Sequence, residues 1–224
     1  MDFSNYKFRC SSLGKLMTKP RSKTEVLSET TKTYLMEIFI EEKYGRKREI
    51  VSKYLTKGNH AEEDSLDLVT KLHNKLYIKN KETLEGDLVK GTPDIITTDG
   101  IIDIKTCWDI WTFAKADGTN KDYYWQLQGY MMLTGLERAT LIYTLVNTPE
   151  FLIVSEKNKR QWQDGYADGS QEQAEMEKEV EKNMMFDDID PKIRMKTFDF
   201  DANEWQQLEV KIHEARAYLN SLSL

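Results

Sequence analysis

The chain has 224 residues, a net charge of −6, 39% hydrophobic residues and 31% charged residues. This predicts one globular domain over residues 1–224, long enough to bury a real core. No apolar run reaches membrane-spanning length, so no membrane partner is expected. The opening MDFSNYKFRC lacks the basic and apolar blocks of a secretory signal, which predicts a cytoplasmic location.

Cys10 and Cys107 are too far apart for a zinc or disulfide framework, and too few for a four-cysteine iron–sulfur cluster. His60, His73 and His213 are not spaced as a metal trio. Any metal here should be hard and oxygen-liganded. Charge is uneven along the chain. Residues 1–60 hold 13 basic and 7 acidic residues, a net of +6, and the remainder holds 19 and 31, a net of −12. The basic residues cluster in KPRSK (19–23) and KYGRKR (43–48). Such a part suits a phosphate backbone, and equally suits a solvated helical surface.

In chain order, SSLGKLMT (11–18) predicts a short helix with Ser11 or Ser12 as its N-cap. A long helix is expected from Thr24 to Tyr44, with Val26, Leu27, Leu35, Ile38, Phe39 and Ile40 apolar and Gly45 ending it. A second helix is expected over 58–76, then strands near 84–90, 93–98 and 101–107. DYYWQLQGYMML (122–133) is helical by spacing, and ATLIYTLV (139–146) is a buried strand. PEFLIVSEKNKRQW begins a helix, unless its LIV run is strand. Residues 164–190 are acidic, with an exposed helix in SQEQAEMEKEVEKNM, and form an insertion or interaction arm. IRMKTFDF (193–200) alternates as a strand. The last helix places Trp205, Leu208, Ile212, Ala215 and Leu219 on one face. Together these predict an α/β fold, a mixed β-sheet core flanked by helices.

The informative stretch is GTPDIITTDGIIDIKT (91–106). Asp99-Gly100 signals a two-residue hairpin turn, which would pair Ile96 with Asp103 and Asp94 with Lys105. By alternation Asp94, Asp103 and Lys105 share one face, while Ile95, Ile102 and Ile104 point to the core on the other. Two close carboxylates repel unless a cation lies between them, and Mg²⁺ suits a site of one or two carboxylates and water. A lysine beside it can hold or deprotonate an attacking water. A plain surface hairpin with a cross-strand Asp–Lys pair is the competing reading.

Two further stretches bear on this. In the helix after Gly58, Glu62 precedes Leu66, Val69 and Leu76 at helical spacing, so it lies on the apolar face and needs a partner, a metal or the helix start. Gln126 and Tyr130 sit at i and i+4, where an amide and a phenol can hold water or a phosphate oxygen, or can simply pack in the core.

In this order the motifs resemble the PD-(D/E)xK nuclease superfamily, with Pro93-Asp94 and Asp103-Ile104-Lys105. Within it they are most similar to the phage-type branch of lambda exonuclease and YqaJ-like recombinases, related to RecB-type nuclease domains. Gly58 to Glu62 matches an upstream Gly-x-x-x-Glu, Gln126-Leu-Gln-Gly-Tyr130 matches the downstream helix, and SSLGKLMTKPRS matches a serine-led helix before a basic loop. The resemblance implies a restriction-endonuclease-like core. It implies a Mg²⁺- or Mn²⁺-dependent exonuclease, phage or prophage encoded, that digests linear double-stranded DNA ends from 5′ to 3′ in recombination.

Asp94, Asp103 and the Ile104 carbonyl would bind metal, with Glu62 completing the set. Lys105 would activate water, with Gln126 orienting it. Ser11 or Ser12, with Arg9, Lys15 and Tyr130, would contact DNA. A single-strand annealing protein and a ring-shaped homo-oligomer are the implied partners. The second acid is Asp where many relatives have Glu, and the four cysteines of Cas4-like relatives are absent. The rival readings are a structure-specific or restriction-like endonuclease on the same core, a non-catalytic DNA-binding module, and an interaction protein using 164–190.

Overall fold

In a computed structural model of the chain, residues 1–48 and 52–223 are described. The chain opens with β1 (Phe8–Arg9), a 3₁₀ turn over Cys10–Ser12 and the one-turn helix α1 (Leu13–Leu16). Ser12 occupies the capping position, but its side chain makes no capping bond. Helix α2 (Glu29–Tyr44) starts five residues later than Thr24, because the Ser28 hydroxyl accepts the Thr31 N–H at 3.0 Å. Such a cap is worth about 1 kcal/mol. Val26 therefore lies outside the helix and is 55% exposed, while Leu35, Ile38 and Phe39 bury the inner face. Gly45, in the left-handed conformation at φ 65°, ends the helix as expected.

The helix expected over 58–76 is two helices, α3 (Lys53–His60) and α4 (Glu62–His73), separated at Ala61. Each half buries its own face: Lys57 on α3, Ser65 and Val69 on α4. Asn74 ends α4 in the left-handed region, so Leu76 falls beyond it and is exposed.

Lys57 is a buried cation. Its Nζ donates to the Trp108 carbonyl at 2.9 Å and lies 4.8 Å from the centre of the Phe186 ring. Burial pulls its pKa from 10.5 down to about 8. The charged form is thus disfavoured in the folded state. The cost is fully present below pH 8 and is relieved as pH rises from 8 towards 10.5, where the unfolded chain binds more protons. The stability of the wild type relative to Lys57→Met should therefore rise by on the order of 1 kcal/mol between pH 7 and pH 9, as read from urea melts.

The strand expected over 84–90 is a hairpin of β2 (Leu84–Glu85) and β3 (Val89–Gly91), closed by the Gly86 N–H on the Val89 carbonyl. With β1 it forms a three-stranded sheet in the order β1-β3-β2. After it come β4 (Ile95–Ile96) and β5 (Ile101–Thr106), then the short helix α5 (Ile110–Ala114), which the sequence pattern did not reveal. Helix α6 (Lys121–Thr134) crosses over to β6 (Arg138–Thr144), parallel to β5. Helices α7 (Glu150–Asp164) and α8 (Gln171–Met184) follow, then β7 (Ile193–Asp199) and α9 (Ala202–Ser221). The second sheet runs β4-β5-β6-β7 and is mixed. The architecture is the expected α/β class, with two mixed sheets and helices on their faces.

The 91–106 hairpin has a different register from the one expected. Ile95 pairs with Ile102 and Ile96 with Ile101. The Thr97 N–H bonds the Gly100 carbonyl, and the Thr97 hydroxyl accepts the Asp99 and Gly100 N–H groups. The turn is thus centred on Thr98-Asp99, one position early. Gly100 serves a close approach instead: at φ 153° a Cβ there would lie 2.5 Å from the Arg138 carbonyl oxygen. The shift moves each partner by two residues, so every side chain keeps its face. Continued by one residue, the observed register sets Asp94 opposite Asp103.

Helix α6 covers the Ile101–Asp103–Lys105 face together with Ala139 and Leu141 of β6, and this is the main core. The opposite face carries half-buried Ile102 and Ile104 and lies under α4, where Ser65 bonds Thr106 and Thr144 through buried hydroxyls. The expected burial of the isoleucine face holds for Ile95, but Ile102 and Ile104 are only half-buried, and the carboxylate face is the better covered one.

The LIV run is helical. Leu152 is half-buried, Ile153 buried and Val154 exposed, which is helical rather than strand alternation. Helix α8 is exposed on its outer face but buries Met176, Val180 and Met184 against Ile153, a small core of its own. On α9 the five expected residues are all buried. The buried Arg216 guanidinium also bonds the Tyr6 and Asp87 carbonyls, tying α9 to the first sheet.

Candidate active site

Asp103 stands in the middle of β5 and is 1% exposed. Its Oδ1 accepts the Gln126 amide at 3.3 Å from α6. Its Oδ2 has Lys105 Nζ at 2.8 Å but no donor aligned for a hydrogen bond. Asp94 precedes β4 on the neighbouring strand and is clamped by the Ile104 N–H, which donates to Oδ2 at 2.8 Å. Burial, then the adjacent Asp103, push the Asp94 carboxyl up to about 7, against the pull of that N–H and of Lys105. Lys105 is drawn down by burial, but Asp103 and then Asp94 outweigh this and hold it above its ordinary value. Its ammonium also lies 5.0 Å from the centre of the Tyr123 ring.

Gln126 donates to the Tyr130 hydroxyl at 2.8 Å, and both side chains are buried. Tyr130 thus stands behind the carboxylates and steadies the amide, rather than presenting a phenol to solvent. Burial, with Asp103 close by, raises the Tyr130 phenol, so it stays protonated. Close approach between elements is built into glycines here. A Cβ on Gly129 would lie 2.7 Å from the Leu13 side chain, and one on Gly91 would lie 2.6 Å from the Tyr130 ring. This lets the 3₁₀ turn, α1 and β3 pack directly on α6.

Glu62 is the first residue of α4 and is half-buried rather than inward-facing. It pairs with Lys79 at 2.5 Å and is close enough to Asp94 to help raise its pKa. Lys79 was not anticipated, and neither was Asn80. The Asn80 N–H and side-chain amide bond the Asp94 and Pro93 carbonyls, so the 74–83 segment braces the first carboxylate. No sequence pattern marks that segment. Tyr123 was also missed, although it lies three residues before Gln126 and shares its helical face.

Arg9, Ser12 and Lys15 gather around Tyr34 of α2. Lys15 Nζ lies 4.7 Å from the centre of its ring, and burial raises the phenol against the pull of Ser12 and Arg9. Ser11 is exposed beside them. Arg9 also borders a charged cleft with Arg46, Lys47 and Arg48, where Glu41 pairs with Lys47 and Glu37 with Arg48.

The donor set fits a hard divalent ion. Two facing carboxylates, one raised to about 7 and the other with an unbonded buried oxygen, leave a demand for positive charge that Lys105 meets only in part. Among the described residues no three His, Cys, Asp or Glu side chains converge as a full cage. Two carboxylates completed by water suit Mg²⁺ or Mn²⁺ and not a zinc site.

No protein-family model matches the chain, and no functionally curated protein matches it. Solved structures do. A phage-related exonuclease from Haemophilus somnus 129PT is 25% identical, with 96% of this chain and 94% of that chain covered and a TM-score of 0.77. An alkaline exonuclease from Laribacter hongkongensis shares the fold at 15% identity, with 97% and 90% covered and a TM-score of 0.63. Likeness in fold over nearly the whole length agrees with the order of the motifs: the chain shares the fold of a phage-related exonuclease and of an alkaline exonuclease.

Proposed function

We propose that this chain is a Mg²⁺- or Mn²⁺-dependent exonuclease that hydrolyses phosphodiester bonds at the ends of linear double-stranded DNA, from 5′ to 3′. One observation carries the reading: Asp94, Asp103 and Lys105 meet on one sheet face, with Gln126 bonded to the same carboxylate. The exonuclease relatives support an action on DNA ends, and the direction rests on the resemblance.

Asp94 and Asp103, with the Ile104 carbonyl, would hold the ion, and Glu62 would join them directly or through water once released from Lys79. The ion would supply polarisation of the phosphate and charge neutralisation at the leaving oxygen. As an ammonium Lys105 can hold a water by donating to its oxygen, and it would take a proton at Nζ only once an ion on the two carboxylates offsets their hold on its charge. Gln126 fixes Asp103 and is itself fixed by Tyr130. Arg9, Ser12 and Lys15, with Ser11, offer a polar, basic cradle for a terminal phosphate. A single-strand annealing partner, a ring-shaped oligomer, a cytoplasmic site of action and a role for 164–190 as an arm belong to the same proposal.

Replacing Gln126 by Leu frees Asp103 Oδ1 and the Tyr130 hydroxyl together. Turnover should fall about 10-fold or more, the worth of one hydrogen bond to a charged group. Single-turnover kinetics with the melting temperature as control would read it. The exonuclease reading itself is tested with a linear duplex and the same DNA as a closed circle, each with Mg²⁺ and with EDTA. Loss of the linear form alone, only with Mg²⁺, is expected. Cutting of the circle would make the chain an endonuclease.

A further inference from the structure

Beside Lys105 a cleft of about 510 Å³ opens between α5 and the start of α6. Its lining includes Lys105, Trp111, Lys115, Asn120, Tyr123 and Tyr143. The size suits a ligand unit as large as a nucleotide. Trp111 is 72% exposed and belongs to neither hydrophobic core. A five-residue helix does not persist unaided, yet α5 is fastened at both ends. Asp109 caps its start, accepting the Thr112 N–H at 2.7 Å. Arg194 of β7 donates to the Phe113, Ala114 and Ala116 carbonyls at its end, and Phe113 is buried beneath. The indole therefore stands on a fixed mount at the rim of a cleft whose floor holds the lysine of the carboxylate site. Asp109 and Asp117 also border the cleft, but both accept local N–H and O–H groups in turns.

We infer that this cleft is a nucleotide subsite: Trp111 stacks one unpaired base of the strand whose phosphate lies at Lys105, and Arg194 positions Trp111 by holding α5. The inference rests on the nuclease reading and adds a strand-holding element to it. Stacking on an aromatic ring tolerates any base, so such a subsite would hold the strand without reading its sequence. The purely structural alternative, an indole needed for packing, is at odds with its exposure.

The test uses the full chain in EDTA, with short duplexes that carry an unpaired end and 2-aminopurine at successive unpaired positions. At one position, binding to the wild type should quench the fluorescence. Trp111→Phe should keep the quenching, and Trp111→Ala should lose it. With Mg²⁺, Trp111→Ala should raise KM about 10-fold, within the range of one base–aromatic stack, and change kcat by less than about 3-fold. Arg194→Met, which retains the indole, should weaken the quenching in part. Quenching and KM in folded Trp111→Ala equal to the wild type would overturn the inference alone, as would equal losses in Trp111→Phe and Trp111→Ala. A wild type that neither binds nor cuts DNA ends would instead remove the nuclease reading beneath it.

Discussion

Asp103→Asn should abolish metal-dependent cleavage, by roughly 10³-fold or more, while the protein stays folded. The change is nearly isosteric, so the packing of β5 under α6 is kept. What it removes is charge at the one place where two carboxylates face each other. Asp94 then loses the neighbour that helps burial raise it to about 7, and the pair's demand for a cation falls. Lys105 loses the partner 2.8 Å away that holds its ammonium in place. A melting temperature close to that of the wild type, with no nucleotide release in Mg²⁺ or Mn²⁺, is the expected pairing of results. Full activity in this variant would refute the site.

Lys105→Met should have a different signature. Cleavage should fall by roughly 10²- to 10⁴-fold, the usual scale for losing a general acid–base group. Divalent-ion binding should survive and tighten, by about 10-fold or about 1.4 kcal/mol, because the ammonium competes for the same carboxylates. Calorimetric titration with Mn²⁺ separates the two effects. Loss of ion binding together with activity would show that Lys105 builds the metal site rather than handling water beside it.

How much of this was legible depends on the range of the interaction involved. The faces of 91–106 follow from strand alternation alone, and they survived an error in the turn because a one-position shift preserves parity. The turn was misread because Gly100 looks like a turn glycine. Its requirement comes from Arg138, on a strand 38 residues away, which no local pattern encodes. The i, i+4 spacing of Gln126 and Tyr130 was readable, and the hydrogen bond between them follows from it.

Glu62 sits at a helix start, but its pairing with Lys79 depends on the path of an irregular segment, and so does the bracing of Asp94 by Asn80. The covered side of the sheet was misjudged for a related reason. Isoleucines outnumber carboxylates on 101–106, yet coverage is decided by where α6 docks, a contact between distant segments that no pattern within 101–106 encodes. Helix α5 was invisible because five residues show no helical period, and its stability comes from Arg194, about 80 residues on.

The central claim is that the carboxylate pair and Lys105 form a hydrolytic centre acting at DNA ends. End-labelled linear duplex incubated with the wild-type chain in Mg²⁺ tests it most directly. The account predicts that a 5′ label is released as mononucleotide from the first time points, and that release stops when EDTA is added. A duplex that is bound but left intact in every divalent cation would contradict it, and the buried carboxylates would then need another explanation.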